Sequence, residues 1–121
     1  MICLDTYALW EIQAGNEKYS RIFEQPFVIA DWTMVEFYRT LLREFVDQRT
    51  ADYWLRQLSS YVQKVDLSIA IKALHFQKEN KKANLSIFDC VGYIFAVENN
   101  HTFVTGDKEF KNRKNSLFIK K

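Results

Sequence analysis

Turn-breaking residues are scarce in this chain: its 121 residues include three glycines, Gly15, Gly92 and Gly106, and one proline, Pro26. So few breakers favour long helices over a β-sandwich. Cysteine is nearly absent as well. Cys3 and Cys90 both lie in apolar patterns without metal-type spacing, which excludes a disulfide framework and a zinc site and reads as two buried free thiols of a reducing cytosol. Long hydrophobic runs are missing. The longest, Cys90–Val97, contains Gly92 and is far too short to span a bilayer, and Asp5 interrupts the only apolar stretch near the N-terminus that could open a signal peptide. A soluble cytoplasmic protein with no membrane partner is expected. Net charge is only +2, so no global field advertises a polyanion. Linkers, low-complexity tracts and internal repeats are lacking, as are P-loop, Gly-x-Gly-x-x-Gly, Gly-x-Ser-x-Gly and Cys-x-x-Cys motifs, which disfavours nucleotide-binding, hydrolase-elbow and zinc chemistry.

The chain does have apolar and aromatic residues, 48% and 16% respectively, enough for a packed core and against disorder. One domain spanning 1–121 is expected at this length. Its charge is uneven. Residues 1–40 carry Asp5, Glu11, Glu17, Glu24, Asp31 and Glu36 against Lys18, Arg21 and Arg39, whereas Lys108, Lys111, Arg113, Lys114, Lys120 and Lys121 crowd the C-terminus with Glu109 alone opposing them. A cation site beside a phosphate-binding rim produces this pattern, and so does an ordinary solvated tail.

Apolar periodicity alternates between strand and helix. Ile2–Leu4, Phe27–Ala30, Thr102–Thr105 and Leu117–Ile119 read as strands, with Val62–Val65 as a further candidate. Thr6–Gln13 reads as helix or loop, broken at Gly15-Asn16, and Asn16 is placed to cap a short helix through Phe23. Asp31–Val46, Ala51–Tyr61, Leu67–Lys78 and Leu85–Val97 carry helical patterns, with a polar loop at Asn80–Asn84. Strand–helix alternation implies right-handed crossovers and a mostly parallel sheet, in which functional groups gather beyond the carboxyl ends of the strands.

Four acids stand at such positions. Asp5 and Asp107 directly follow predicted strands, Asp89 lies in the first turn of an almost wholly apolar helix, and Glu36 lies early in the helix after the second strand. Burying a lone carboxylate is costly without compensation. Each acid also has a local explanation. Asp5 and Asp107 can cap the turns that follow them, and Thr33-x-x-Glu36 and Ser86-x-x-Asp89 both match a capping box. Gathered at one sheet edge, however, the acids repel one another unless a hard cation such as Mg²⁺ or Mn²⁺ sits between them. By the 3.6-residue period Glu36 falls about 200° from Met34, away from the apolar stripe, which suits a cleft or solvent equally. Thr6 and Thr105 flank the acids as hydroxyls able to orient a carboxylate or hold a water. Gly92 lies on the face of Asp89, placed for substrate approach or for packing on the sheet. His75 and His101 lack ligand spacing. Trp10, Trp32 and Trp54 suit a core or an interface, and an apolar face around Trp54, Leu58 and Tyr61 suits a partner or plain packing.

Leu4-Asp5-Thr6-Tyr7-Ala8-Leu9, Thr33-Met34-Val35-Glu36, Leu85-Ser86-Ile87-Phe88-Asp89 and Thr105-Gly106-Asp107-Lys108-Glu109-Phe110, in that order, resemble the motifs of the PIN-domain nucleases, especially the VapC-like toxins of type II toxin–antitoxin modules. Tyr7 stands where many members carry Ser or Asn. The resemblance implies a three-layer α/β/α sandwich and Mg²⁺- or Mn²⁺-dependent RNA cleavage. It also implies inhibition by a cognate antitoxin and frequent homodimers. On it, Asp5, Asp89 and Asp107 are expected to ligate the ion, Glu36 to position a water or a second ion, and Lys108, Lys111, Arg113 and Lys114 to contact RNA phosphates. Two rivals are a phosphoacceptor receiver domain, with Asp66 as acceptor and Lys108 as its lysine, and a catalytically silent RNA- or protein-binding module of the same fold.

Overall fold

Five short apolar runs pair as one parallel sheet in the computed structural model, which describes residues 1–120. They are β1 (Ile2–Leu4), β2 (Phe27–Ala30), β3 (Val62–Gln63), β4 (Thr102–Thr105) and β5 (Ser116–Phe118), in the spatial order β3-β2-β1-β4-β5. Register follows from the central strand, with Ile2 opposite both Phe27 and Thr102. Four of the five strands are joined through helices, because parallel neighbours need a crossover rather than a hairpin. The helices are α1 (Thr6–Gln13), α2 (Glu17–Ser20), α3 (Asp31–Glu44), α4 (Gln48–Leu58), α5 (Leu67–Glu79) and α6 (Ile87–Glu98).

The period-2 alternation of side chains divides the core into two layers. Cys3, Val28 and Phe103 face α5 and α6, packing with Ala73, Val91, Phe95 and Phe110. Leu4, Phe27, Ile29 and Val104 point the other way, against Leu9, Phe37, Leu41 and Leu58 of α1, α3 and α4. The result is the three-layer α/β/α sandwich expected above. Full burial of a side chain the size of Phe103 or Phe37 contributes about 1.5–3 kcal/mol each. Cys3 and Cys90 are free and buried, and burial pushes their thiols up to about 12 and about 11.

Asparagine stands in for the missing glycine. Asn84, Asn100 and Asn115 adopt φ of 52°, 57° and 60°, whereas Gly15 at φ 80° is the one glycine in that region. Asparagine tolerates the left-handed conformation better than other non-glycine residues because its short amide bonds locally. Gly92 meets a packing need instead: a Cβ there would lie 3.2 Å from both Phe103 Cε1 and Thr33 Oγ1.

Several boundaries differ from the sequence reading. α3 ends at Glu44 because Phe45 turns extended and Val46 is fully exposed, and Asp47 starts α4 early by accepting from the Arg49 amide at 2.9 Å. β3 is two residues long, β5 is shifted one residue earlier, and Lys81–Ala83 forms a 3₁₀ turn inside the polar loop. Thr33 is not a helix cap. α3 begins at Asp31, so Thr33 lies inside the first turn and is buried against Gly92. Leu58 is fully buried and Trp54 meets Phe37 edge-on, so both pack into the core, whereas Tyr61 stacks on Phe27 at 4.2 Å and stays 38% exposed. β3 is an edge strand, and Asp66 beyond it is absent from the cleft that Lys108 lines. The sheet therefore lacks the central acceptor strand of a receiver domain. Among the described residues no helix is long and apolar enough to cross a membrane.

Candidate active site

The carboxyl edge of the sheet opens into a cleft of about 700 Å³ lined by Asp5, Glu36, Asp89 and Asp107 together. Four separate elements deliver them. Asp5 ends β1 and caps α1, its Oδ1 accepting from the Ala8 amide at 2.7 Å. Asp107 follows β4 and caps the turn Lys108–Phe110, accepting from the Glu109 amide at 2.9 Å. Asp89 lies in the first turn of α6, where the Ser86 hydroxyl accepts from its amide at 3.1 Å. Glu36 comes from α3, and its Oε1 accepts from the Thr6 hydroxyl at 2.5 Å. The capping roles and the convergence coexist, because a helix start at a sheet edge is both a cap position and a cleft wall.

Electrostatically the group is under stress. Asp5 is 2% exposed, and burial followed by the charge of Asp89 pushes its carboxyl well above the usual range, although Thr105 and the Ala8 amide hold it down in part. Asp89 is pushed up to about 7, first by burial and then by Glu36, with Ser86 opposing and Asp107 adding to the rise. The described ion pairs include none to Asp5, Asp89 or Asp107; Glu36 meets Arg39 at a loose 3.9 Å. Thr105, fully buried, links two of the acids: its hydroxyl accepts from the Asp107 amide at 3.0 Å and helps to hold the Asp5 carboxyl down. Gly106 admits no side chain, because a Cβ would fall 2.0 Å from Tyr7 Cε1. Tyr7 thus lies over the backbone that carries Asp107.

Among the described residues no three His, Cys, Asp or Glu side chains close on a single point as a finished metal cage. The acids ring the cleft, each with an oxygen or its amide engaged locally. The donor set nevertheless suits a hard divalent ion, being all carboxylate and hydroxyl oxygen and mutually repelling, with no described ion pair to Asp5, Asp89 or Asp107.

The cleft walls also hold Trp10, expected above in a core or an interface, and Arg39, Thr40, Arg43 and Lys120, which the sequence alone did not place in the site. Arg39, Thr40 and Arg43 follow Glu36 at three, four and seven residues, so helical spacing from Glu36 was the available signal. Of the four basic residues expected to touch RNA, Lys108 lines the cleft. Lys111 lies over the Phe118 ring at 5.6 Å, Arg113 bonds Asn80 at 3.2 Å and covers Phe76, and Lys114 is exposed outside the cleft lining.

Residues 2–115 match the PIN domain family model. The chain belongs to the PIN domain family. No curated protein matches it. Among solved structures, this PIN domain is similar in fold to a toxin–antitoxin complex from Klebsiella pneumoniae, at 15% identity over 100% of both chains and a TM-score of 0.78. It is similar also to VapC20 of Mycobacterium tuberculosis, a sarcin–ricin loop cleaving toxin, at 15% identity over 100% of this chain and 98% of that one, with a TM-score of 0.77. A third is VapBC2 of Rickettsia felis bound to a promoter DNA fragment, at 18% identity over 100% and 99% and a TM-score of 0.73.

Proposed function

We propose that this PIN domain is a divalent-metal-dependent endoribonuclease and the toxin of a toxin–antitoxin pair. The observation that carries the reading is Asp5, buried at the strand end without a cationic partner and facing Asp89 and Asp107 across one cleft. Asp5, Asp89 and Asp107 would hold Mg²⁺ or Mn²⁺ directly or through water, and such an ion, when bound, supplies an activated water and charge stabilisation at the scissile phosphate. Thr105 fixes the orientation of Asp5 and the path of Asp107. Glu36, held by Thr6, is placed to orient a water at the cleft mouth. Lys108 on one side, with Arg39 and Arg43 on the other, meets the phosphates flanking the cut. Lys111 and Lys114 extend that basic rim beyond the cleft, whereas Arg113, tied to Asn80, acts mainly by holding the rim in place. A cognate antitoxin is the proposed inhibitor, supported by the toxin–antitoxin complexes among the similar structures, and a cytoplasmic homodimer is the proposed form.

The test is cleavage of a structured RNA with Mg²⁺, with Mn²⁺ and with chelator. We expect cutting that chelator abolishes and that Asp89→Asn lowers by at least about 100-fold. Undiminished cutting by Asp89→Asn, or cutting indifferent to chelator, removes the metal mechanism.

A further inference from the structure

An aromatic surface stands beside the acidic floor. Trp10 projects from the second turn of α1 into the cleft that Asp5 floors, is only partly buried, and rests on Phe45 with ring centroids 6.1 Å apart and planes at 34°. Phe45 is itself 36% exposed, so the pair forms a ledge at the edge of the core. Two guanidinium groups from α3 share this wall, and that of Arg39 also lies over the Phe88 ring, 5.1 Å from its centroid. The side chain of Arg39 is 62% exposed and lies 3.9 Å from Glu36, and that of Arg43 is 63% exposed and pairs with its neighbour Glu44. Large apolar rings normally withdraw from a charged cleft. A tryptophan braced from behind and left open beside two available arginines has the composition of a site for an unpaired nucleobase.

We propose that Trp10 is the platform on which one unpaired base of the substrate strand stacks, with Arg39 and Arg43 gripping the adjoining phosphates. This assigns the cleft to single-stranded or looped RNA, and it rests on the nuclease reading above. Bases in a duplex are already stacked on their neighbours and present no free face to Trp10, so a paired segment gains nothing from the ledge. The lining also holds Tyr7, which lies over Gly106, and Phe118, but Trp10 is the ring that stands beside the two arginines, which places the base on the α1–α3 side.

The experiment measures binding of a fluorescent single-stranded RNA and of its duplex to full-length Asp89→Asn protein, alone and combined with Trp10→Ala or Trp10→Phe. Stacking by a single base predicts about 5- to 100-fold weaker single-strand binding for Trp10→Ala, a smaller loss for Trp10→Phe, and no change for duplex. On otherwise wild-type protein the same changes are expected to raise KM far more than they lower kcat. Trp10→Phe keeps the contact with Phe45, so a folding defect in the alanine variant leaves the comparison intact. A further readout places Trp10 in a Trp32→Phe, Trp54→Phe background, where single-stranded RNA is expected to quench its emission. If wild-type protein cuts RNA but Trp10→Phe and Trp10→Ala bind single strands as the parent does, or Trp10 emission is unquenched, the platform is overturned and the nuclease reading survives. If wild-type protein neither binds nor cuts RNA, both fall.

Discussion

Thr105 is fully buried at the end of β4, and its hydroxyl acts on two acids at once, accepting from the Asp107 amide and helping to hold the Asp5 carboxyl down. Valine has nearly the same shape and no hydroxyl. Thr105→Val therefore leaves the part-buried Asp107 amide without its partner and removes one of the groups that hold the Asp5 carboxyl down, at a cost of about 1–3 kcal/mol. We expect a lower urea midpoint together with at least a tenfold loss in kcat/KM, whereas Thr105→Ser retains both. Loss of activity with an unchanged midpoint would instead make Thr105 a reacting group. Gly106, the next residue, works through space alone: Tyr7 occupies the volume that a Cβ would need.

α6 is apolar on nearly every side, with Cys90, Val91, Tyr93, Phe95 and Ala96 buried, so its position is set by packing and its start by Ser86. The Ser86 hydroxyl satisfies the Asp89 amide and also helps to hold the Asp89 carboxyl down. Ser86→Ala is expected to cost about 1 kcal/mol in chemical denaturation and to reduce cleavage several-fold, because the carboxylate loses its local donor. Ser86→Asn is expected to recover most of the stability; failure to do so would argue that the hydroxyl does more than cap. α3 shows how one helix serves two layers. Met34, Phe37 and Leu41 bury against the sheet, and Glu36, Arg39, Thr40 and Arg43 line the cleft.

Taken across the whole molecule, an acidic cleft buried in a nearly neutral protein makes folding sensitive to pH and to cations. Asp89, pushed up to about 7 in the folded chain, favours the fold most where it is protonated, below the ordinary carboxylate range. That stability drains away as pH rises from the ordinary carboxylate range to about 7, on the order of 4 kcal/mol for the metal-free protein. His101 works in the opposite direction: burial lowers its pKa, so it weakens the fold as pH falls through the ordinary histidine range. Thermal melts in chelator are expected to show stability declining between about pH 5 and 8, and Mn²⁺ at the upper end is expected to reverse the decline. Asp89→Asn should flatten the slope. A metal-free protein equally stable across that range would mean that the acids do not confront one another.

Local signals carried much of this molecule. Alternating apolar runs named the strands, the scarcity of breakers named the helices, and acids placed just past the strands marked the edge where a cleft could open. Those features depend on neighbours in the chain, so the order of residues suffices to reveal them. Thr33-x-x-Glu36 shows where such reading fails, because α3 starts three residues sooner than a Thr33 cap implies and its Thr became a core contact. Whether Glu36 faced a cleft or open water was settled only when α1 set the Thr6 hydroxyl against it. The same holds for Trp10, Arg43 and Lys120, which come from α1, α3 and the segment after β5 and line one cleft solely because the sheet order β3-β2-β1-β4-β5 brings those segments together. Convergence of distant side chains is a property of packing, and no period or spacing along the backbone encodes it.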